Sequence, residues 1–396
     1  MKRTFLFVVA ALAGLTASAQ YYPDAVNKDM LHIAHPRTPQ RKEIVVPNVD
    51  GYTAYKADLH THTLYSDGSV LMGTRLREAW YEGIDVMAVT EHLEYRPHEK
   101  ELVQYLSKYM PAGTEAKANS FVSRNRPASR DEIMVDLNFP VEIAKKEAQA
   151  WGITIIPGIE ITRKEEGWYS HFNALFTTDN NTIYDPSAIV SIRNAKAQNA
   201  LVLHNHPGWR HVDMKLTDFE KKVYKENLID GIEVMNGAEF YPKAITRAQK
   251  YNFFVSANTD VHANAVERYE MTGSHRNMTL IFAKDKSLAS IREALEAHRT
   301  LAYSFGVLAG EEELLRKVFE GSVKVQGFFT DAKGNLSAIL TNSSTIDWLI
   351  SRDGKNRELL KGQSSIMISF SKSEPNIFTV HNAWCGEDKF LTYEFK

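Results

Sequence analysis

AYKADLHTHTLYSDGS, residues 54–69, opens as a short apolar strand and closes in a turn that carries two histidines and an aspartate. Side chains alternate along a strand, so His60 and His62 leave it on one face and can hold one cation between them. Asp67, in the turn that follows, can reach a neighbouring ion. A histidine pair of this kind also arises by chance, so its weight depends on whether other strands end in the same way.

Working outward, the same rhythm returns. IDVMAVTEH (84–92), ITIIPGIEI (153–161), HFNALF (171–176), ALVLHNH (200–206), GIEVMN (231–236), FFVSANTD (253–260) and MTLIFA (278–283) read as strands. LREAWYEG (76–83), FPVEIAKKEAQAWG (139–152), PSAIVSIRNAKAQN (186–199) and PKAITRAQKY (242–251) read as helices between them. Continuous apolar strands alternating with helices predict an α/β fold with a parallel sheet covered by helices. About seven such repeats favour a barrel over an open sheet, and barrels gather their chemistry at the carboxyl ends of the strands.

The ligand-type residues fall at those ends. Of the 14 histidines, His60, His62, His92, His171, His204, His206 and His262 all lie at or just past the predicted strand ends. The second strand closes in Glu91-His92, and the third buries Glu160 in an apolar run. An unpaired buried carboxylate is costly, so a cation is its natural partner, with a salt bridge to a basic residue as the ordinary alternative. His171 opens the fourth strand and by itself fits a hydrogen-bonded core histidine equally well. His204 and His206 bracket Asn205 before Pro207-Gly208, and Asp260 and His262 follow the last strand of the series. Hard oxygen donors mixed with imidazole, and no thiolate, suit manganese, iron or zinc. There are more donors than one ion can use, which implies two or three divalent ions.

Three other regions frame this barrel. Residues 93–137 are too long for a simple connection and carry Arg96, Lys117, Arg124, Arg126 and Arg130, which fits a cover offering charge to an anion as well as a solvated surface insertion. After about residue 310 short alternating segments from SVKVQGFF (322–329) to KFLTYEFK (389–396) predict a small antiparallel β-domain over 313–396, sandwich-like in pattern. MKRTFLFVVAALAGLTASA (1–19) reads as a secretory signal, its apolar run shorter than the ~20 residues of a membrane span, so the expected protein is exported, periplasmic or secreted, with no membrane anchor after cleavage. Residues 20–50, with four prolines, predict an extended arm, and 51–309 the barrel. The single cysteine, Cys385, excludes an internal disulfide. Formal charge is −2, or −4 once Lys2 and Arg3 leave with the signal, which gives no reason to expect a nucleic-acid partner.

With ADLHTHTLYSDGS, TEH, GIEIT, HFNALF, HNHPG and NTDVHA in this order over about residues 54–300, the chain resembles the polymerase and histidinol phosphatase (PHP) family. Its leader and β-domain further resemble the exported Sb-PDE-type phosphodiesterases within it. The resemblance implies a distorted (β/α)7 barrel with a three-metal centre. One ion would take His60, His62, Glu160 and Asp260, a second would share Glu160 and add His171 and His206, and a third would take Asp67, His92 and His262. His206 is preferred to His204 because it stands directly before the proline, leaving His204 to orient a ligand or touch substrate. The family often has aspartate before the histidine of the second motif. Glu91 stands there in this chain, and its longer carboxylate is expected to hold His92 from behind.

Such a centre predicts hydrolysis of a small-molecule phosphate ester, a diester more than a monoester, by metal-activated hydroxide attack on phosphorus. Glu160, His204 and Arg163 are the candidate catalytic residues. Arg163, just beyond the third strand, and the arginines of 93–137 would bind phosphoryl oxygens, although Arg163 also fits an ordinary surface residue. Trp168, Tyr169 and Trp209 would receive an organic group, and His204 or His211 would protonate the leaving group. Two rivals stand beside this reading. A metal-dependent amidohydrolase or deacetylase shares the paired-histidine opening but usually bridges its metals with lysine, for which no strand-end lysine appears. A secreted binding protein with purely structural metals would need them to fold yet turn nothing over.

Overall fold

The computed structural model describes residues 22–32, 40–98, 135–165, 168–211 and 213–395, with the backbone alone at 22, 23, 164, 165 and 168. The leader and Lys117, Arg124, Arg126 and Arg130 lie outside the described residues, as does the side chain of Trp168. The chain forms two units, Met1–Arg41 and Lys42–Lys396. In the first, Tyr22–Pro23 pairs antiparallel with Leu31–His32, and the Asp24 carboxylate ties the turn by accepting from the Val26 and Asn27 amides.

The larger unit runs β1 (Thr53–Asp58), α1 (Met72–Tyr81), β2 (Val86–Val89), α2 (Phe139–Ala148), β3 (Thr154–Glu165), β4 (Trp168–Leu175), α3 (Ala188–Ala197), β5 (Leu201–His204), α4 (Asp218–Lys225), β6 (Gly231–Asn236), α5 (Pro242–Tyr251) and β7 (Phe254–Asn258). Then come α6 (Ala265–Arg268), β8 (Met278–Ala283), α7 (Leu288–Glu296), β9 (Thr300–Ser304) and β10 (Val307–Gly310). The strands stand in the order β7-β6-β5-β4-β3-β2-β1-β8-β9-β10. Every residue of β2, β5, β6 and β7 is buried, as expected of strands sandwiched between helices and a filled interior. The helices present one apolar face each: Leu76 and Ala79 of α1, Ile189 and Ile192 of α3, and Ala244, Ile245 and Ala248 of α5 are buried. Local chemistry sets their ends. Thr217 and Glu220 form a reciprocal cap at the start of α4, and α5 begins with Pro242 and ends on left-handed Asn252.

Two features depart from a uniformly parallel barrel. β4 runs antiparallel to both β3 and β5, because only residues 166–167 separate it from β3 and a parallel crossover needs a dozen or more. The wall between β7 and β1 is closed by a single bridge, Thr61 to Val261, rather than by a ladder. Side chains complete the seam. The Leu59 amide donates to Asn258 Oδ1 at 2.9 Å, and Asp58 accepts from His60 N, Thr259 N and the Arg276 guanidinium. Arg276 also meets Glu82 at 3.0 Å, and all three ionic groups are buried. Removing one partner from such a group costs about 3–5 kcal/mol. The seven strands β1–β7 thus form the distorted barrel that the sequence predicts.

The chain then enters α8 (Glu312–Ser322), β11 (Val323–Thr330), β12 (Leu336–Asn342), β13 (Trp348–Ser351), β14 (Glu358–Leu360), β15 (Ser364–Phe370), β16 (Asn376–Gly386) and β17 (Lys389–Phe395). An all-β segment from 313 is corrected at its start: α8 puts Leu315, Val318 and Phe319 into the core before the strands begin. One sheet is β11-β12-β15; the other joins β13, β14, β16 and β17, and β10 pairs parallel with β16. Trp348, Phe370, Phe378 and Phe395 share a continuous apolar core with Met87, Leu280 and Tyr303 of the barrel side. Residues 42–50 join it through Ile44 and Val49, and Val45 O accepts from the Thr345 amide. Among the described residues no helix is long and apolar enough to cross a membrane.

Candidate metal centre

Nine side chains meet at one end of the barrel, where the parallel strands finish and antiparallel β4 begins. His60 and His62 leave β1 with their Nε2 atoms 3.1 Å apart, and Asp260 Oδ1 lies 3.2 Å from each. Glu160 Oε1 and Oε2 stand 3.3 and 3.4 Å from the same two nitrogens. Donors about 2.1 Å from one cation are themselves ~3.0–3.4 Å apart at cis or tetrahedral angles, so these distances fit a common ion. Glu160 Oε1 is also 3.2 Å from His171 Nδ1 and 3.9 Å from His206 Nε2. Asp67 Oδ1 and Oδ2 lie 3.1 Å from His262 Nε2 and 3.3 Å from His92 Nε2. His62 sits between clusters, its ring stacked 4.4 Å from both His92 and His262. Three groups of donors result: His60, His62 and Asp260; Glu160, His171 and His206; and His62, Asp67, His92 and His262.

The donor set also fits cations by what it leaves unmet. Among the described residues the buried His171 Nε2 has no hydrogen-bond partner, and the buried Asp67 Oδ1 and Glu160 Oε2 face only other candidate donors, His262 and His92, a crowding of polar atoms that a cation would relieve. Two ligand positions carry backbone strain as well. His206 has φ 24° and Asp260 φ 49°, left-handed values that side chains avoid unless the surroundings impose them. The Glu233 carboxylate receives the His206 amide at 2.6 Å, and the Asp260 amide reaches His60 O at 2.9 Å.

Behind the ligands stands Glu233, which the sequence reading passed over. It is fully buried and meets His60 Nδ1 at 2.9 Å, so it turns Nε2 of that ring toward the cluster. Asn258 and Asn236 satisfy its remaining lone pairs. Glu91 does not hold His92. It accepts from Thr63 and Ser66, both at 2.5 Å, and bonds the turn after β1, while His92 Nδ1 lies against Thr162 Oγ1 and Glu160. Gly68 belongs to that turn for a steric reason: a Cβ there would sit 2.7 Å from Thr63 N.

Charge alternates through the centre. Burial opposes protonation of His60 and His92, yet Asp260, Glu160 and Glu233 around the first, and Glu160 and Asp67 around the second, hold both imidazoles well above their usual range. Burial likewise opposes ionisation of Glu160 and Asp260, but the facing imidazoles, His92 and His60 foremost, keep both carboxyls well below theirs. His206 goes the other way, pushed down to about 4 by burial and by His171. A proton on His60 or His92 must leave before that nitrogen can coordinate, so ion affinity rises with pH and levels off above the raised values. Each proton displaced contributes up to about tenfold per pH unit. Calorimetric Mn²⁺ titrations over about pH 6–9, in buffers of different ionisation heat, are expected to show this slope together with proton release; a flat affinity without release contradicts the ligand assignment.

The cluster floors a cavity of about 280 Å³ whose walls include Glu94, Tyr95, Thr162, Arg163, Tyr169 and Trp209. Arg163 is buried, not a surface residue. Its guanidinium turns toward Asp185 O, Ser191 Oγ and Glu94, while Nε and Nη1 have no hydrogen-bond partner among the described residues. Glu94, two residues past His92 and raised in pKa by burial, is a wall residue the sequence reading did not find. His204 is a correction. It packs outward on Phe172, with Nδ1 2.7 Å from the Tyr224 hydroxyl and Nε2 3.4 Å from Glu220, and does not line the cavity. His211 does not line it either; its Nε2 lies 3.3 Å from Tyr169 O. Arg96 donates to His92 O at 3.0 Å and so supports a ligand's backbone.

Known proteins resemble the chain in sequence and fold. A family model described as the PHP domain matches residues 58–361. Among solved structures, a two-domain protein from Bacteroides vulgatus ATCC 8482, containing a predicted PHP-like metal-dependent phosphoesterase, is 30% identical; the match covers 91% of this chain and 99% of that one, with a TM-score of 0.76. The lesion-specific endonuclease PfuEndoQ from Pyrococcus furiosus matches at 15% identity over 65% of this chain and 59% of its own, with a TM-score of 0.40. No curated protein sequence matches.

Proposed function

The chain belongs to the PHP domain family, and from that premise we propose that it is an exported metal-dependent phosphoric ester hydrolase acting on small phosphodiesters, akin to the Sb-PDE-type enzymes. The observation that carries the reading is the position of Glu160. One carboxylate lies within 4 Å of five imidazoles from β1, the β2 end, β4 and the β5 end. His60, His62, Glu160 and Asp260 would hold one ion, Glu160, His171 and His206 a second, and Asp67, His92 and His262 a third, with manganese, iron or zinc suited to the donors. Bound there, such ions supply Lewis acidity toward phosphoryl oxygens and a water of lowered pKa to attack phosphorus. The protein's own groups do the rest. Glu233 fixes the ring of His60, and Thr162 and Glu160 fix that of His92.

The walls support a diester. Tyr95 lies 5.9 Å from the His92 ring, at the third cluster, whereas Trp209 lies 5.2 and 5.3 Å from the His171 and His206 rings, at the second. An ester with an organic arm on each side of phosphorus has an aromatic surface for both. The cavity volume, at the low end of the range for small-molecule sites, suits a small ester over a polymer. Among p-nitrophenyl phosphodiesters, phosphomonoesters and carboxyl esters tested with Mn²⁺, the diesters are expected to turn over fastest. Preferred carboxyl-ester or amide cleavage would favour an amidohydrolase, and metal binding without any turnover a binding protein. Trp209→Ala is expected to raise KM for an aryl phosphodiester about tenfold, the ~1.4 kcal/mol of one aromatic contact, and to change the Ki for inorganic phosphate much less. Equal effects on both would remove Trp209 from the arm-binding role.

A further inference from the structure

α1 lies outside the barrel wall, yet one of its side chains reaches the backbone of two metal-binding loops at once. Arg75 is fully buried. Its Nε donates to His62 O at 3.1 Å, and its Nη2 lies 3.1, 3.2 and 3.0 Å from the carbonyls of Val261, His262 and Ala263. Its Nη1 meets Glu78 at 2.7 Å, and the other Glu78 oxygen accepts from the amide of Ala265, where α6 begins. Two of those four carbonyls belong to candidate ligands themselves. The loops they come from face each other across the seam where a single bridge joins β7 to β1.

We propose that Arg75 is a positioning residue for the ion held by Asp67, His92 and His262, fastening the loop after β1, which carries Asp67, to the loop that carries His262. His262 is the ligand with most need of such an anchor. Its side chain is 37% exposed, against 17% for Asp67, 5% for His92 and none for His62, so neighbouring side chains hold its ring least. Its carbonyl is instead held from two sides, by Arg75 and by the Ser69 amide at 2.8 Å. Only a planar fork with several donors can serve carbonyls on both loops together, and a lysine ammonium in the same place reaches fewer of them.

This inference rests on the reading of the clusters as metal sites, and the test separates the two. Arg75→Lys keeps the charge and loses the fork; the double variant Arg75→Met with Glu78→Gln removes both charges so that none is left unpaired. Each is compared with the wild-type protein for Mn²⁺ stoichiometry by equilibrium dialysis and elemental analysis, for Co²⁺ absorption, and for cooperative melting. The expected result is cooperative folding with one ion bound about 10–100-fold less tightly, the remaining ions unchanged, and the Co²⁺ spectrum of one site altered. Folded variants that bind every ion with wild-type affinity and spectrum overturn the proposal alone. Failure of both variants to fold at saturating metal also overturns it, because Arg75 is then a strut of the fold. A wild-type protein that binds no ion overturns the metal reading itself, and this inference with it.

Discussion

Glu160→Gln is expected to lower kcat on a phosphodiester by about 10³-fold or more, with the protein still folded and at least one ion fewer per chain. Gln keeps the volume and the hydrogen bond from Asn205, but removes the charge that faces five imidazoles. Two donor groups draw on this carboxylate, so the loss falls on more than one ion, and about 4 kcal/mol of transition-state stabilisation corresponds to three decades of rate. In the metal-free protein the substitution has a second effect, which opposes the first because fewer protons must then leave. His60 and His92 owe their raised pKa values in part to Glu160, so in the variant both imidazoles charge less readily near neutrality. Steady-state kinetics with elemental analysis of the same sample decides the matter: a full complement of ions and a kcat within tenfold of wild type would remove Glu160 from the centre of the mechanism.

Chelation is expected to abolish turnover and to lower Tm by on the order of 5–15 °C, both restored by Mn²⁺. An ion present at 100–1,000 times its Kd stabilises the folded state by about 2.7–4.1 kcal/mol, and in domains of this size each kcal/mol moves Tm by ~2–4 °C. Here the effect has a specific origin. Without ions the centre relies on protons to offset Glu160, Asp67 and Asp260, and the buried His171 Nε2 lacks a partner among the described residues. Unchanged turnover by a protein shown to be metal-free would remove the hydrolytic mechanism, whereas a Tm shift with no turnover at any metal would leave the structural-metal reading standing.

The ligands were legible because catalysis in a barrel concentrates at strand ends, where His60, His62, His92, Glu160, Asp260 and His262 interrupt apolar runs that nothing else explains. Their support was harder to read. Gly-Ile-Glu occurs twice, at 158–160 and 231–233, and each glutamate is buried in an apolar strand. Only the first drew attention, although the second faces His60 from the other side by the same physical logic. His204 and His206 illustrate the limit of alternation. Two residues apart, they should share a face, but β5 ends at His204 and the left-handed turn at His206 swings the second ring into the cluster while the first packs against α4. The reversal of β4 was visible in the spacing, since 162–170 is too short for a crossover helix, but the surrounding βα rhythm masked it. Arg276 left no local signal because its partners are carboxylates far along the chain, and Arg75 reads as an ordinary i,i+3 pair with Glu78, its carbonyl partners at 261–263 being distant in sequence.

The single bridge between Thr61 and Val261 carries a wider implication. The joint where the cylinder is least stitched by its own backbone is the one from which His60, His62, Asp260 and His262 project, so an ion gripped there would, on the proposed function, rivet the wall as well as serve the reaction. On that reading the last stitch in the wall would be set by metal and not by backbone.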